Sequence, residues 1–360
     1  MSTNQGTNET TISKVAENTA IPKKMKEFLA ALNSGGGSRI LLYTITLMLC
    51  TPLSYTLAQA KKATKAQSQI TVPAVAQNAA KAKITISGAR QEYIEVEANV
   101  RLHITDVGEG KPVVLIHGYP LSDAMWEYQY HALVKAGYRV IGITLRGFGQ
   151  SDKPYGKYDY DQFADDIKVV LDKLDIQDAT IGGHSMGGAI ALHYVAKYNG
   201  AHISKLALFS AAAPCHTKKP DYPYPFFTKE DITQWVNLND TDRPALLAAV
   251  GEKFTLSPTS LSPGIGAWLG GLEMQSSAYA MEQALIALRD EDLRSDLPKI
   301  KVPTIIFNAK EDKIVSFALA EQMNKAIPGS KLVPFDKSGH ASFVEEKDKF
   351  NKEFIKFLKE

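Results

Sequence analysis

From about residue 111 onward, short apolar runs alternate with longer segments of helical character. The runs are rich in Val, Ile and Leu and occupy residues 113–116, 140–143, 180–181, 206–209 and 304–307. Strands buried on both faces of a parallel sheet have this continuous apolar character, and helices supply the crossovers between them. The pattern therefore predicts an α/β fold with a doubly wound, mostly parallel sheet.

Two further patterns add detail to this sheet. Residues 93–97 and 100–104 alternate apolar and polar positions around Ala98-Asn99, which predicts an opening β-hairpin and a domain that begins near Gln91. Residues 161–171 have apolar side chains at helical spacing, and one face of that helix consists of Phe163, Ile167, Val170 and Leu171. We expect this segment to be a crossover helix.

The alternation stops between about residues 215 and 298, where aromatic and helical segments replace it. This change predicts a helical lid inserted after the sixth strand. Aromatic side chains there could line a substrate pocket, or they could pack the lid to itself and to the sheet. The candidate pocket residues are Trp126, Phe226, Trp235 and Trp268.

The turn with the clearest chemical meaning is Gly183-His184-Ser185-Met186-Gly187, between an apolar run and an Ala-rich helical stretch. A serine at such a strand-to-helix corner adopts a strained backbone, and the two glycines remove Cβ atoms that would collide there. The context predicts Ser185 as a nucleophile. The alternative is a chance pentapeptide in a glycine-rich loop.

A serine nucleophile needs a base that a third group orients. The other seven histidines lie in early segments, beside the serine helix or in the lid, which leaves His340 in a glycine-bearing turn before the last helix. We predict Asp312 as its acid partner, because its loop follows the strand at 304–307, and Glu311 is the rival. The alternative is that Asp312 is a solvated loop charge and His340 a surface histidine.

Four motifs together resemble the α/β-hydrolase superfamily, over roughly residues 91–358. They are Leu-Ile-His-Gly-Tyr-Pro-Leu-Ser at 115–122, Leu-Arg-Gly-Phe-Gly-Gln-Ser at 145–151, Gly-His-Ser-Met-Gly-Gly at 183–188 and Ser-Gly-His at 338–340. The order nucleophile, acid, base is also the one expected of that fold. Within the superfamily the motifs are most similar to the cofactor-free haloperoxidase and aryl esterase group.

This resemblance implies both roles and an activity. Ser185, Asp312 and His340 would form a catalytic triad, and the backbone N–H groups of Tyr119 and Met186 would stabilise the oxyanion. The group hydrolyses esters through an acyl-serine without a metal or an organic cofactor. A small or aryl ester is thus the expected substrate, and no nucleic-acid partner is expected.

Other activities remain open on the same residues. Some members of the group form peracids when hydrogen peroxide replaces water, and those have a proline beside the oxyanion loop, like Pro120. Lactone hydrolysis and carbon–carbon bond hydrolysis are further alternatives, and a ligand-binding protein without catalysis is the non-enzyme reading. A nucleophilic serine argues against haloalkane dehalogenases and epoxide hydrolases, which resemble this fold but attack with aspartate.

The chain departs from the superfamily pattern at three positions. Thr144 stands two residues before Arg146, where an aspartate is usual, and Ala309 and Ser316 replace the common Gly and Pro around the acid. The triad candidates are unaffected. The departures leave the hydrogen bonding around Arg146 unpredicted.

Charge is distributed unevenly along the 360 residues. The whole chain has 41 Lys and Arg and 39 Asp and Glu. Residues 1–90 contain 11 of the basic residues and three of the acidic ones, so the remainder is mildly acidic and lacks the basic patch of a nucleic-acid binder. The two cysteines cannot form a disulfide framework, and Cys215 is expected to be a buried apolar residue.

The basic excess belongs to an N-terminal extension. Residues 1–60 have the order of an export signal, with a long polar and basic start, an uncharged core and Ala58-Gln59-Ala60, which predicts cleavage near Ala60 and a periplasmic or secreted protein. Translation from Met25 would give a more ordinary signal. The alternative is a membrane anchor at residues 40–60. Residues 61–90 are expected to be a tether before the domain at 91–360.

Overall fold

The computed structural model describes Arg90 and residues 92–360. The predicted export signal, the cleavage near Ala60, the alternative anchor at 40–60 and the tether up to residue 89 therefore lie outside the described residues. No helix within the described part is both long and apolar enough to cross a bilayer.

Eight strands form one sheet in the order β1-β2-β4-β3-β5-β6-β7-β8. The predicted hairpin of β1 and β2 is antiparallel, β2 runs antiparallel to β4, and all other neighbours are parallel. The doubly wound, mostly parallel sheet is thus confirmed. The strands are β1 (Tyr93–Glu97), β2 (Val100–Val107), β3 (Lys111–Ile116), β4 (Tyr138–Ile143), β5 (Ala179–His184), β6 (Ile203–Phe209), β7 (Thr304–Ala309) and β8 (Lys331–Phe335).

Helices connect the strands and cover the sheet. Outside the lid they are α1 (Glu127–Lys135), α2 (Tyr160–Lys173), α3 (Met186–Lys197), α7 (Phe317–Ala326), α8 (Ser342–Glu345) and α9 (Lys347–Lys359). Helix α1 packs against α9, and α2 packs against α3. The predicted crossover helix at 161–171 is α2, and its expected apolar face is fully buried.

An aromatic core lies between the sheet and α9. Phe209 of β6 and Phe307 of β7 are register partners, and both rings contact Phe350 of α9, with centroids 4.7 and 5.3 Å away. Phe335 of β8 contacts the same ring at 6.2 Å. Burying rings of this size contributes strongly to stability, so this core fixes the strands whose ends carry the site.

The lid follows β6, as the sequence predicts, and returns the chain to β7. It consists of α4 (Lys229–Phe254), α5 (Pro263–Glu273) and α6 (Ala278–Asp290). Helix α4 is kinked, because Asp242 leaves helical geometry just before Pro244, whose ring and missing N–H interrupt the helix. Helix α4 packs against α6.

Candidate active site

Ser185 occupies the sharp corner between β5 and α3. Its backbone has φ 55° and ψ −121°, a strained conformation for a residue with a Cβ atom. A Cβ on Gly183 would approach the Gly187 carbonyl oxygen to 2.1 Å, and one on Gly187 would approach the His117 carbonyl oxygen to 2.3 Å. Both glycines are therefore required by close backbone approach, which is the role the sequence motif predicts.

Backbone hydrogen bonds hold this corner against the neighbouring strand. The Ser185 N–H donates to the Phe209 carbonyl at 2.9 Å, and the Ser185 carbonyl accepts from the Ala212 N–H at 2.9 Å. The side chain is not sealed off, since Ser185 keeps 7% of its surface exposed. The strained conformation is thus fixed by its surroundings, with the hydroxyl at the carboxyl end of β5.

Asp312 and His340 contact each other directly. His340 Nδ1 lies 2.8 Å from Asp312 Oδ2, and both side chains are buried. The other carboxylate oxygen, Oδ1, accepts the N–H groups of Ile314 and Val315 at 2.8 and 2.9 Å. Glu311, the rival acid, is exposed on the same loop. Asp312, and not Glu311, is therefore the acid that contacts His340.

His184 links this pair to the serine corner. Its Nε2 and the His340 carbonyl oxygen are 2.9 Å apart, and the two rings lie 4.5 Å apart. Burial, together with the neighbouring His340, holds the pKa of His184 well below its usual range. A neutral His184 then donates from Nε2, so the residue before Ser185 anchors the loop of His340.

The loop after β3 lies against the same corner. A Cβ on Gly118 would come within 3.2 Å of the Ser185 Cβ and 2.5 Å of His184 Nδ1, so only glycine fits there. His117 holds the loop: its Nδ1 donates to the Gly118 carbonyl at 2.9 Å, and its Nε2 accepts the Leu145 N–H at 3.0 Å. Burial lowers the pKa of His117 to about 4, so the ring stays neutral.

Tyr119 lies in the loop after β3, and Met186 directly follows Ser185, so the two residues flank the serine. Met186 is the first residue of α3, so its N–H is one of the free donors at a helix start. The Tyr119 ring is buried against Phe148, and its hydroxyl has no hydrogen-bond partner among the described residues. Ser276 Oγ donates to the Pro120 carbonyl at 2.6 Å, which ties the lid to this loop.

The unusual Thr144 is compensated by Asp123. Thr144 Oγ1 donates to Asp123 Oδ1, and Thr105 Oγ1 donates to Oδ2 of the same carboxylate at 2.5 Å. Arg146 forms an ion pair with Asp166, with N–O distances of 2.6 and 2.7 Å. A carboxylate from a different part of the chain, Asp123, is thus hydrogen-bonded to Thr144.

The four aromatic pocket candidates lie in different surroundings. Trp126 is fully buried and contacts the rings of Phe343 and His184 beneath the serine corner. Phe226 is 47% exposed, whereas Trp235 and Trp268 are half-buried. The Trp235 ring packs on Phe227 at 4.8 Å, and that of Trp268 lies 6.2 Å from Tyr128.

Several residues around the site were not singled out by the sequence. Besides His117 and His184, Phe254 at the end of α4 packs its ring 5.5 Å from His340, and its carbonyl accepts the Ala341 N–H at 3.0 Å. The end of the lid therefore contacts the histidine loop. Both His117 and His184 lie within motifs that the sequence shows, next to the loop glycine and the serine.

The sheet, the serine corner and the buried Asp-His pair define an α/β hydrolase. The comparisons agree with this class. Residues 111–259 match the family described as alpha/beta hydrolase fold. An AB hydrolase superfamily protein of Bacillus subtilis, YisY, is 46% identical over 265 residues, which cover 74% of this chain and 98% of the relative. The chain belongs to the α/β-hydrolase superfamily.

Two further similarities are informative. A protein of Synechocystis sp. with the name putative non-heme chloroperoxidase is 33% identical over 273 residues, or 73% of this chain and 97% of the relative. The solved structure of the esterase EaEST from Exiguobacterium antarcticum superposes with a TM-score of 0.73 at 38% identity, over 75% of this chain and all of the esterase chain. The predicted resemblance to esterases and haloperoxidases is thereby confirmed.

Proposed function

We propose that this hydrolase is a serine carboxylesterase that acts on small or aryl esters through an acyl-serine. The observation that carries the proposal is the buried contact of 2.8 Å between His340 Nδ1 and Asp312 Oδ2, beside a serine held in a strained corner. Asp312 also accepts two backbone N–H groups, so it is stabilised as a carboxylate that only accepts hydrogen bonds. His340 must then place its proton on Nδ1, which leaves Nε2 free to act as the base.

The reaction proceeds in two halves. Ser185 Oγ attacks the carbonyl carbon of the ester while His340 Nε2 takes the hydroxyl proton, and Asp312 stabilises the resulting imidazolium. The negative oxygen of the tetrahedral intermediate accepts hydrogen bonds from the N–H groups of Tyr119 and Met186. His340 then protonates the departing alcohol. Water attacks the acyl-serine by the same steps in reverse, which releases the acid and restores Ser185.

Perhydrolysis is a second activity that one feature favours. Pro120 follows Tyr119 directly in the oxyanion loop, and a chloroperoxidase name is attached to one relative. In this reaction hydrogen peroxide, instead of water, attacks the acyl-serine, so that a peracid and free Ser185 form. It needs no residue beyond those of the esterase reaction.

The proposal is tested with Ser185→Ala and a p-nitrophenyl acyl ester. We expect turnover to fall on the order of 10⁶-fold, because a triad without its nucleophile retains little catalysis. Ser330→Ala, a half-buried serine after α7, is the matched control and should leave turnover unchanged. Near wild-type activity in Ser185→Ala, or failure of a fluorophosphonate probe to label Ser185 in the folded protein, would contradict the proposal and favour a ligand-binding role.

A further inference from the structure

A cavity of about 440 Å³ lies inside the lid, between the end of α4 and helix α5. One face of α5 forms a wall of the cavity, because Gly266, Leu269, Gly270 and Glu273 recur at helical spacing. The opposite wall includes Phe254, whose ring packs against His340. The cavity therefore reaches the edge of the site described above.

Three glycines border this space. Gly251 in α4 and Gly266 and Gly270 in α5 all border the cavity, and a Cβ added to any of them would meet no atom within 4 Å in the described part of the chain. Glycine inside a helix destabilises it by roughly 0.5–1 kcal/mol relative to alanine. Gly251 and Gly266 are exposed, so the open space beside them is solvent, and only the half-buried Gly270 leaves room within the cavity itself.

Glu273 is the polar group that faces this space. The residue is only 9% exposed, and its carboxyl has no hydrogen-bond or ion-pair partner among residues 92–360. Burial raises the pKa of Glu273 to about 7. A buried carboxylate without a partner is costly, so a ligand that supplies the opposite charge would be favoured.

The remaining charges near Glu273 do not neutralise it. The cavity wall carries a second acid, the exposed Glu252, and no lysine, arginine or histidine. Arg243, like Glu273, lies near the Tyr119 hydroxyl. Its guanidinium donates to the Ser276 carbonyl and not to the Glu273 carboxyl. The walls contributed by Phe254, Leu261 and Leu269 are apolar. Acidic and apolar surfaces together suit an alkylated ammonium group.

We propose that the lid cavity binds the quaternary ammonium group of a cationic ester substrate, with the Glu273 carboxylate as its counter-charge. The proposal rests on the esterase function and names a substrate class for it. Burial raises the pKa of the Tyr119 phenol and the nearby charge of Glu273 adds to that shift, and Phe254 contacts His340. An ester bound with its ammonium group in the cavity would thus extend toward the proposed oxyanion donors.

The test compares choline with 3,3-dimethylbutan-1-ol, its neutral isostere, as inhibitors of p-nitrophenyl acetate hydrolysis at pH 8 and constant ionic strength. For the wild-type protein we expect choline to inhibit about tenfold more strongly than the isostere. In Glu273→Gln choline should inhibit no more strongly than the isostere, with each inhibition measured relative to the uninhibited rate of that variant. Glu230→Gln, an exposed acid of α4, removes the same charge elsewhere on the lid and should keep the preference.

Two additional measurements locate the site. In Gly270→Leu, a leucine side chain would occupy the cavity, so both inhibitors should weaken together. The preference for choline should grow as the pH rises through about 7, since Glu273 ionises there, and Glu273→Gln should show no such change. The other ionisable groups near Glu273 are Glu252 on the cavity wall, Arg243 and Tyr119, and burial raises the pKa of the Tyr119 phenol, which stays neutral over this range.

The outcomes separate the two proposals. Equal inhibition by both compounds in the wild-type protein, or a preference that survives Glu273→Gln, would overturn the ammonium site. If the wild-type protein does not hydrolyse p-nitrophenyl acetate, the esterase function fails. The ammonium site is then decided by calorimetric titration of choline and of its isostere into the wild-type and Glu273→Gln proteins, with the same expected difference.

Discussion

The Asp312 carboxylate at the serine corner and the Glu273 carboxyl in the lid cavity differ in how completely they are hydrogen-bonded. At the corner, Asp312 accepts three hydrogen bonds and the Ser185 backbone is bound on both sides. In the cavity, Glu273 lacks any partner within the described chain, and Gly270 leaves open volume. At the corner the acid and the serine backbone are held by hydrogen bonds, although His184 Nδ1 and the Tyr119 hydroxyl have no partner among the described residues. A site that must accept a ligand leaves its partner groups free until the ligand arrives.

The same difference explains how the two regions tolerate change. Around Ser185 an added methyl group collides with backbone or ring atoms at 2.1–2.5 Å, whereas in the cavity it meets nothing. We therefore expect substitutions at the corner to reduce the rate of every substrate. Substitutions in the cavity should alter the choice of substrate or the stability of the fold.

Among the substitutions that test this comparison, we expect the largest loss of activity from replacing the acid, Asp312. Asp312→Ala should lower kcat/KM for p-nitrophenyl acetate on the order of 10⁴-fold, because His340 loses the group that fixes its tautomer and stabilises its charge. Glu311→Ala, one residue earlier and exposed, is the matched control and should have little effect. A larger loss in Glu311→Ala than in Asp312→Ala would assign the acid to Glu311.

A smaller effect is expected from Gly118→Ala in the loop beside Ser185. The new methyl group would meet His184 Nδ1 at 2.5 Å and the Ser185 Cβ at 3.2 Å, so the loop must move away from the serine. Displacing one oxyanion donor costs on the order of 10²–10³ in kcat. The control is Gly156→Ala on an exposed loop, where an added Cβ meets no atom within 4 Å in the described part. Unchanged kcat in Gly118→Ala would remove Tyr119 from the proposed oxyanion donors.

The sequence predicted the corner well because its constraints are local. A strained strand-to-helix turn needs glycines at fixed positions, and buried parallel strands need continuous apolar runs, so both can be read from neighbouring residues. The chain order of Ser185, Asp312 and His340 then follows from the fold. The anchoring of His340 by His184 could not be predicted, because it joins residues 156 positions apart in sequence.

The lid was predicted only as a helical insertion, for a related physical reason. The aromatic pocket candidates drew attention by size, yet Trp126, which lies outside the lid, is packed in the core, and Phe226 is 47% exposed. Glu273 gave no signal, since an acid at the end of a helix is ordinarily solvated. Its burial depends on the packing of α5, which contacts the segment at residues 123–126, and this is tertiary information.

The smallest expected effect is on the free energy of unfolding. It tests the burial of Glu273 in the cavity without any ligand. Burial raises the pKa of Glu273 from its ordinary value of 4.5 to about 7, so the folded state binds this proton more tightly than the unfolded state does. The free-energy cost of ionising Glu273 in the folded state is small near pH 4.5. This cost increases as the pH rises to about 7 and is fully present above it.

Glu273→Gln removes this penalty and should therefore stabilise the protein against denaturant by up to about 3 kcal/mol at pH 8, and by much less at pH 5. The gain will be lowered to the extent that the new amide also lacks partners. Glu230→Gln should show no such pH-dependent gain, because that acid is exposed. If Glu273→Gln is equally stabilising at both pH values, or not stabilising at either, then the Glu273 carboxyl has a hydrogen-bond or ion-pair partner in solution, as Asp312 has at the serine corner.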